Sequence, residues 1–259
     1  MGIHRTNYVK QRYFDDHTLL REVVSHKLTA LSGPRALLVM AAHPVAFAGF
    51  FAHTGALADP YARLRRTGRV MDAVAFGTPV QAERMTAPVR RMHAAVQGEL
   101  PEDAGRFPAG TPYRGDDPGL LLWILAALAE SAMLVFPRWV RPLSREELNE
   151  LWLDYRQVGR WFGLESSEMP EDIDGFETYM ADMYASGDLY VSGRARELAV
   201  DIVLRPDVSL QWKPLVELVN QVTIGLLPAG VRRLYGFRWD PLRAVTLRSS
   251  AELIRRLPV

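Results

Sequence analysis

The sequence has no cysteine among its 259 residues. That excludes Cys-ligated zinc, iron–sulfur clusters, a thiol nucleophile and thiolate-ligated haem. Lysine is almost missing as well. It occurs only at positions 10, 27 and 213, so 28 of the 31 basic residues are arginine. Net charge is scarce: 31 basic against 30 acidic residues leave +1. A nucleic-acid binder would show a basic excess, so no nucleic-acid partner is expected. Phosphate-cradling Gly-rich loops of Walker or Rossmann type are absent, as are a GxSxG elbow, an HExxH pair and any other tight His/carboxylate metal set. No metal site is expected. The longest apolar run, Gly119–Ala129, ends at Glu130, short of the ~18–20 residues a bilayer span needs. The N-terminus is polar, without the apolar core of a signal peptide. These features predict a cytoplasmic protein with no transmembrane segment.

What is present is 48% hydrophobic residues in a chain long enough to bury roughly 70–75% of its unfolded surface. The apolar residues recur at helical spacing, and no sustained period-2 alternation marks a sheet. Helices are expected at about 17–31, 34–54, 60–76, 79–97, 118–136, 145–162, 171–186, 193–204, 213–227 and 241–256. Pro44 should kink the second helix. Ala82, Met85, Val89, Met92 and Val96 step by 3, 4, 3, 4, a helical stripe. Residues 98–116, rich in Gly, Pro and Asp, read as a surface loop. Asp117-Pro118 opens a helix apolar nearly all round, which should be the central buried one. Ser144 and Glu147 form a capping box for the helix that follows. No linker, repeat or low-complexity tract divides the chain. The reading is an all-α fold: one large helical domain of nine or ten helices over 1–259, with its core at about 20–240.

Three groups of residues could carry chemistry. His43, His53 and His93 lie in apolar helices, where an imidazole is either a satisfied core group or a functional one. Arg90 precedes His93 by three residues and shares its side of the helix. Glu130 interrupts the central apolar helix, so its carboxylate should point inward and meet a cation, with Arg90 or Arg91 as the expected partner. A structural ion pair and a polar spot in a ligand pocket both account for these residues.

Several segments, in order, resemble the MpaB / latex-clearing-protein (rubber oxygenase) superfamily. They are Leu31-Ser-Gly-Pro-Arg-Ala-Leu-Leu38, Ala42-His43-Pro44-Val45-Ala46, His53-Thr54, Asp59-Pro60-Tyr61-Ala62-Arg63-Leu64 and Phe76-Gly77-Thr78. Val89-Arg90-Arg91-Met92-His93-Ala94-Ala95-Val96 and Asp117-Pro118-Gly119-Leu120-Leu121-Leu122-Trp123 follow, then Pro142-Leu143-Ser144, Val158-Gly159, Met169-Pro170 and Tyr235-Gly236-Phe237. The resemblance covers about residues 20–240. It implies a rubber-oxygenase-like helical fold, haem b as cofactor, and oxygenase-like oxidation of a hydrophobic small molecule such as a polyketide or terpenoid. It also implies an axial His on the central helix and an Arg near the haem from an Arg-x-x-His helix, which Arg90 and His93 match. Catalytic roles then fall to Arg90, His93 and Glu130, and the substrate pocket to Leu125, Trp123, Met92 and Val89.

The central motif departs from the pattern. Relatives read Trp-Val-His-Ala where this chain reads Trp123-Ile124-Leu125-Ala126. Leu cannot bind iron. Three readings stay open. His93 ligates instead, or His43 or His53 does, or haem has been lost and the scaffold serves a haem-independent cyclase or isomerase. A non-catalytic binding protein for an apolar metabolite is a further alternative, since an apolar helical pocket is itself a binding site.

Overall fold

The computed structural model describes residues 14, 15, 17–52, 60–245, 247 and 249. The chain is all-α. Its helices are α1 (Leu19–Ser25), α2 (Ser32–Ala41), α3 (Pro44–Ala52), α4 (Pro60–Phe76), α5 (Pro79–Ala95) and α6 (Pro118–Trp139). They continue with α7 (Arg145–Trp161), α8 (Ile173–Ala185), α9 (Gly193–Ala199), α10 (Lys213–Leu226) and α11 (Ala229–Leu234). A 3-10 turn, Lys27–Leu31, joins α1 to α2, and a π-helical segment, Val200–Leu204, extends α9.

Helix α6 is the axis. The Asp117 side chain caps it, accepting from the Leu120 N–H at 3.0 Å, and Pro118 stands in its first turn, where the missing N–H costs nothing. Trp123, Ala126, Ala127, Ala129, Val135 and Phe136 are fully enclosed. By length and composition α6 could cross a membrane, but 61% of its apolar window is buried inside the protein. The unbroken apolar run understates it, because Glu130 and Ser131 are taken up by polar partners. Helix α2 lies against α6, with α7 on another side. The Ser144–Glu147 capping box starts α7 as its sequence predicts.

The chain departs from its sequence pattern in four places. Residues 17–31 form α1 and a 3-10 turn rather than one helix. The expected kink near Pro44 is a full break: α2 ends at Ala41, and the His43 ring caps α3 by accepting the Ala46 N–H at 3.2 Å. The 98–116 loop is framed by a short antiparallel ribbon, β1 (Gln97–Glu99) and β2 (Pro112–Arg114), with Gly98 opposite Tyr113. Strands of three residues are too short to show alternation. The ribbon is anchored by Tyr113, which packs on Val45, Ala48, Leu100 and Ala104. Finally, Pro228-Ala-Gly230, which falls between the helices expected at 213–227 and 241–256, opens α11, consistent with Pro beside a helix start. The helix expected at 241–256 is described as helical over 241–245 and at 247 and 249.

Candidate functional site

Glu130 does turn inward, but its cation is Arg35. The Arg35 guanidinium is 1% exposed and donates to Glu130 Oε2 at 2.7 Å. It also donates to the Ser131 hydroxyl at 2.6 Å and, through Nε, to the Leu226 carbonyl at 2.9 Å. The Tyr184 hydroxyl donates to the same Glu130 oxygen at 2.5 Å. Burial, then the charge of Glu130, raises the Tyr184 pKa, so the phenol stays protonated. This cluster joins α2, α6, α8 and the end of α10. It corrects the expected pairing with Arg90 or Arg91. Arg35 wins because α2 is the helix laid against the middle of α6, while Arg90 is committed elsewhere.

Arg90 clamps α5 to the end of α7. Its Nη1 donates to the Trp161 carbonyl at 2.8 Å and to the Thr86 hydroxyl at 3.2 Å, and Nη2 pairs with Glu83 at 2.6 Å. The Trp161 carbonyl is one of the helix-end acceptors that lack an intrahelical donor. Arg90 lines a surface cleft with Glu83, Gln157, Arg160 and Trp161. His93 is half-buried at the last turn of α5, near Asp116. The Asp116 carboxyl is held low chiefly by Arg114, with a smaller contribution from His93. The turn carrying Asp116 precedes α6. Glu130 lies twelve residues beyond Pro118, ~18 Å along the helix at ~1.5 Å per residue. The three residues singled out for catalysis therefore do not converge.

The α5 stripe is also rotated from its expected face. Ala82 and Thr86 are buried and Val89, Arg90 and His93 half-buried, while Met92 is 47% exposed. Met92 thus leaves the expected pocket. Thr86 takes an inward position because its hydroxyl donates to the Ala82 carbonyl at 2.8 Å, which satisfies it within the helix.

Leu125 and Trp123 face different neighbours. Trp123 is enclosed, its indole N–H donating to the Met40 carbonyl at 3.3 Å, its ring near Tyr184 and His43. Leu125 faces α7. A Cβ built on Gly159 would stand 2.7 Å from Leu125 Cδ2, 2.8 Å from Met169 Sδ and 3.2 Å from Leu164 Cδ1. Burial lowers the His43 pKa, so its ring is neutral. His53 lies outside the described residues.

A narrow apolar cleft with about 20 Å³ of free space opens on the side of α2 away from Glu130. Leu37 and Ala41 of α2, Phe47 and Phe50 of α3, and Ala195, Ala199 and Ile202 of α9 and its π-helical extension line it. Alanines at 41, 195 and 199 leave the space between the helices. The sequence shows them as an Ala-rich composition, but not which helices they keep apart.

The sequence matches, over residues 21–256, the family model described as the ER-bound oxygenase mpaB/B'/rubber oxygenase catalytic domain. The chain belongs to this family. No curated protein and no solved structure shows a significant match.

The mpaB/rubber oxygenase family is haem-dependent, and the described residues, which do not include His53, do not fit that group. The surface around Leu125, where the axial ligand is expected, is filled by Gly159, Leu164 and Met169. His43 is set the wrong way round for ligation. Its Nδ1 accepts a backbone N–H, which places the neutral ring's proton on Nε2. A metal-bound His instead donates from its second nitrogen. His93 sits at the outer end of α5 beside Asp116, not opposite Leu125. The apolar cleft has no cationic lining residue for haem propionates. Among the described residues, no group of three or more His, Asp or Glu could hold a metal ion.

Proposed function

We propose that this chain is a haem-independent enzyme of the mpaB/rubber oxygenase family. In this reading it takes a hydrophobic small molecule, of polyketide or terpenoid type, into the cleft between α2, α3 and α9. The observation that carries it is the pairing of a closed, apolar Leu125 face with a separate apolar cleft. At about 20 Å³ the cleft is far smaller than the roughly 300–1,000 Å³ usual for ligand pockets, so in this reading α2, α3 and α9 move apart to admit the substrate. Apolar walls bind by area and select by shape. A flexible substrate held in one reactive conformer gains rate toward cyclisation or isomerisation because the ordering entropy is met on binding.

A second reading, a binding protein without turnover, is favoured by the cleft walls, since none of the lining residues is ionisable. Oxygenase-type oxidation, the activity of the wider family, is the reading that a bound haem would restore.

The test is a visible spectrum of the purified chain with and without added haemin, followed by mass spectrometry of apolar compounds incubated with it. The expected result is no Soret band in either spectrum and conversion of at least one compound to an isomer of equal mass. Ala199→Phe, which fills the cleft, should lower apparent affinity about tenfold or more. A Soret band lost in His93→Ala would overturn the haem-independent reading. Retention of bound compound without conversion would favour the binding protein.

A further inference from the structure

The cleft between α5 and the end of α7 has no part in the reading above. It holds about 340 Å³ of free space, against about 20 Å³ in the apolar cleft, which puts it in the range usual for ligand pockets. Each wall is one face of a helix. Glu83 and Arg90 stand two turns apart on α5, while Arg160 and Trp161 follow Gln157 on α7 by three and four residues. Helical spacing thus brings all of them to one space.

The charges in this cleft do not cancel. Glu83 is matched by Arg90 at 2.6 Å. Arg160 is exposed and has no carboxylate partner among the described residues. Its Nη1 makes one long hydrogen bond, 3.3 Å to Gln157 Oε1, so most of the guanidinium's donors are left to solvent. Capping does not occupy them. The end carbonyls of α7 have other donors: Trp161 O accepts from Arg90, and those of Gly159 and Arg160 accept the N–H groups of Phe162 and Gly163. Gln157 turns its Oε1 to Arg160, which leaves its NH2 as a second donor beside the guanidinium. Trp161, half-buried, supplies an aromatic wall.

Charge decides the ligand. Two guanidinium groups against one carboxylate leave a single positive charge, so a monoanion completes the balance. A carboxylate meets a guanidinium in plane through two parallel N–H···O bonds. A phosphate monoester, with a charge of about −1.5 to −2, exceeds that balance and is repelled by Glu83. The indole face suits a flat apolar body.

We propose that the α5–α7 cleft binds a small aromatic carboxylate, its carboxylate on Arg160 and Gln157 and its ring against Trp161. The proposal does not depend on what the apolar cleft binds.

The test is a ligand-observed NMR titration of the full chain with 2-naphthoate, 2-naphthylmethanol and 2-naphthyl phosphate. The carboxylate should bind saturably, with Kd of about 1 mM or below. The alcohol and the phosphate should each bind about fivefold or more weaker. Arg160→Gln alters an exposed position and should keep the wild-type circular dichroism and melting temperature. It should lose affinity for 2-naphthoate about tenfold or more. Glu83→Gln keeps an acceptor for Arg90 and removes the lining carboxylate. It should tighten 2-naphthyl phosphate by about threefold or more relative to 2-naphthoate. The proposal is overturned if 2-naphthoate shows no saturable binding, if the alcohol or the phosphate binds wild type as tightly, or if folded Arg160→Gln binds like wild type. An unchanged preference in Glu83→Gln would equally overturn it, because the selection for a monoanion would then have another source.

Discussion

At the scale of single residues, the best-defined electrostatic feature is Asp154. Its carboxylate accepts the Leu20 N–H at 3.0 Å, tying α7 to the first turn of α1. Burial pushes its pKa up to about 6, and the neighbouring carboxylates Glu150 and Asp15 add to the rise. Between about pH 4 and 6 the folded chain then binds more protons than the unfolded chain, so this residue's contribution to stability falls as pH rises through that window and is level above it. Asp154→Asn keeps an acceptor for Leu20 and removes the buried charge. Relative to wild type, it should gain stability by about 1 kcal/mol near neutral pH, allowing for solvent screening, and gain nothing near pH 4. Urea midpoints of both proteins across that range measure the difference. A variant that is less stable at every pH would mean that the charged form is favoured where it stands.

Leu125 is the other residue on which much depends. Restoring the family's histidine there should not restore the cofactor, because Gly159, Leu164 and Met169 already occupy the adjoining space. Leu125→His is expected to cost about 2–4 kcal/mol by exchanging a packed apolar side chain for an imidazole with no polar surroundings. Haemin added to the variant should produce no Soret band. A sharp band with retained stability would show that α7 can yield to a macrocycle.

At the scale of elements, the sequence told more about where helices lie than about which way they face. Capping residues are local, so Asp117 and the Ser144–Glu147 box could be read directly. The rotation of α5 could not, because Thr86 turns inward and Met92 outward according to a hydrogen bond within the helix and the reach of Arg90 to Trp161. Arg35 was equally hidden: nothing in the local pattern around Ser32–Ala41 distinguishes it from a surface arginine, and only the approach of α2 to α6 pairs it with Glu130. The α6–α7 approach is testable in the same terms. Gly159→Ala would gain helix propensity of up to about 1 kcal/mol, yet its Cβ would press on Leu125 and Met169, both 5% exposed. Overpacking of about 1–3 kcal/mol should win. Leu125→Ala in the same chain opens the space, so the double variant should be more stable than the sum of the single effects by about 1 kcal/mol or more. Strict additivity would mean that the two helices are not in close contact at that level.

At the scale of the whole molecule, family and all-α architecture were legible because many loose motifs keep their order from one end of the chain to the other. The site was not, because the candidates that are suggestive in sequence, Arg90 and His93 on α5 and Glu130 on α6, do not converge, while the apolar cleft is spaced by alanines that carry no chemical signal. The same division predicts how the whole molecule responds to ligands. Whatever binds only the folded state raises its stability by mass action, about 2.7 kcal/mol at a hundredfold excess over Kd. In a domain of this size each kcal/mol moves the melting temperature by about 2–4 °C. A compound filling the cleft should therefore raise it by about 5–10 °C, and the rise should vanish in Ala199→Phe. Haemin at the same excess should leave the transition where it is in both proteins, since no described site offers it a ligand. A rise with haemin that survives in Ala199→Phe would place a haem seat elsewhere in the helical assembly and return the chain to the oxygenase chemistry of its family.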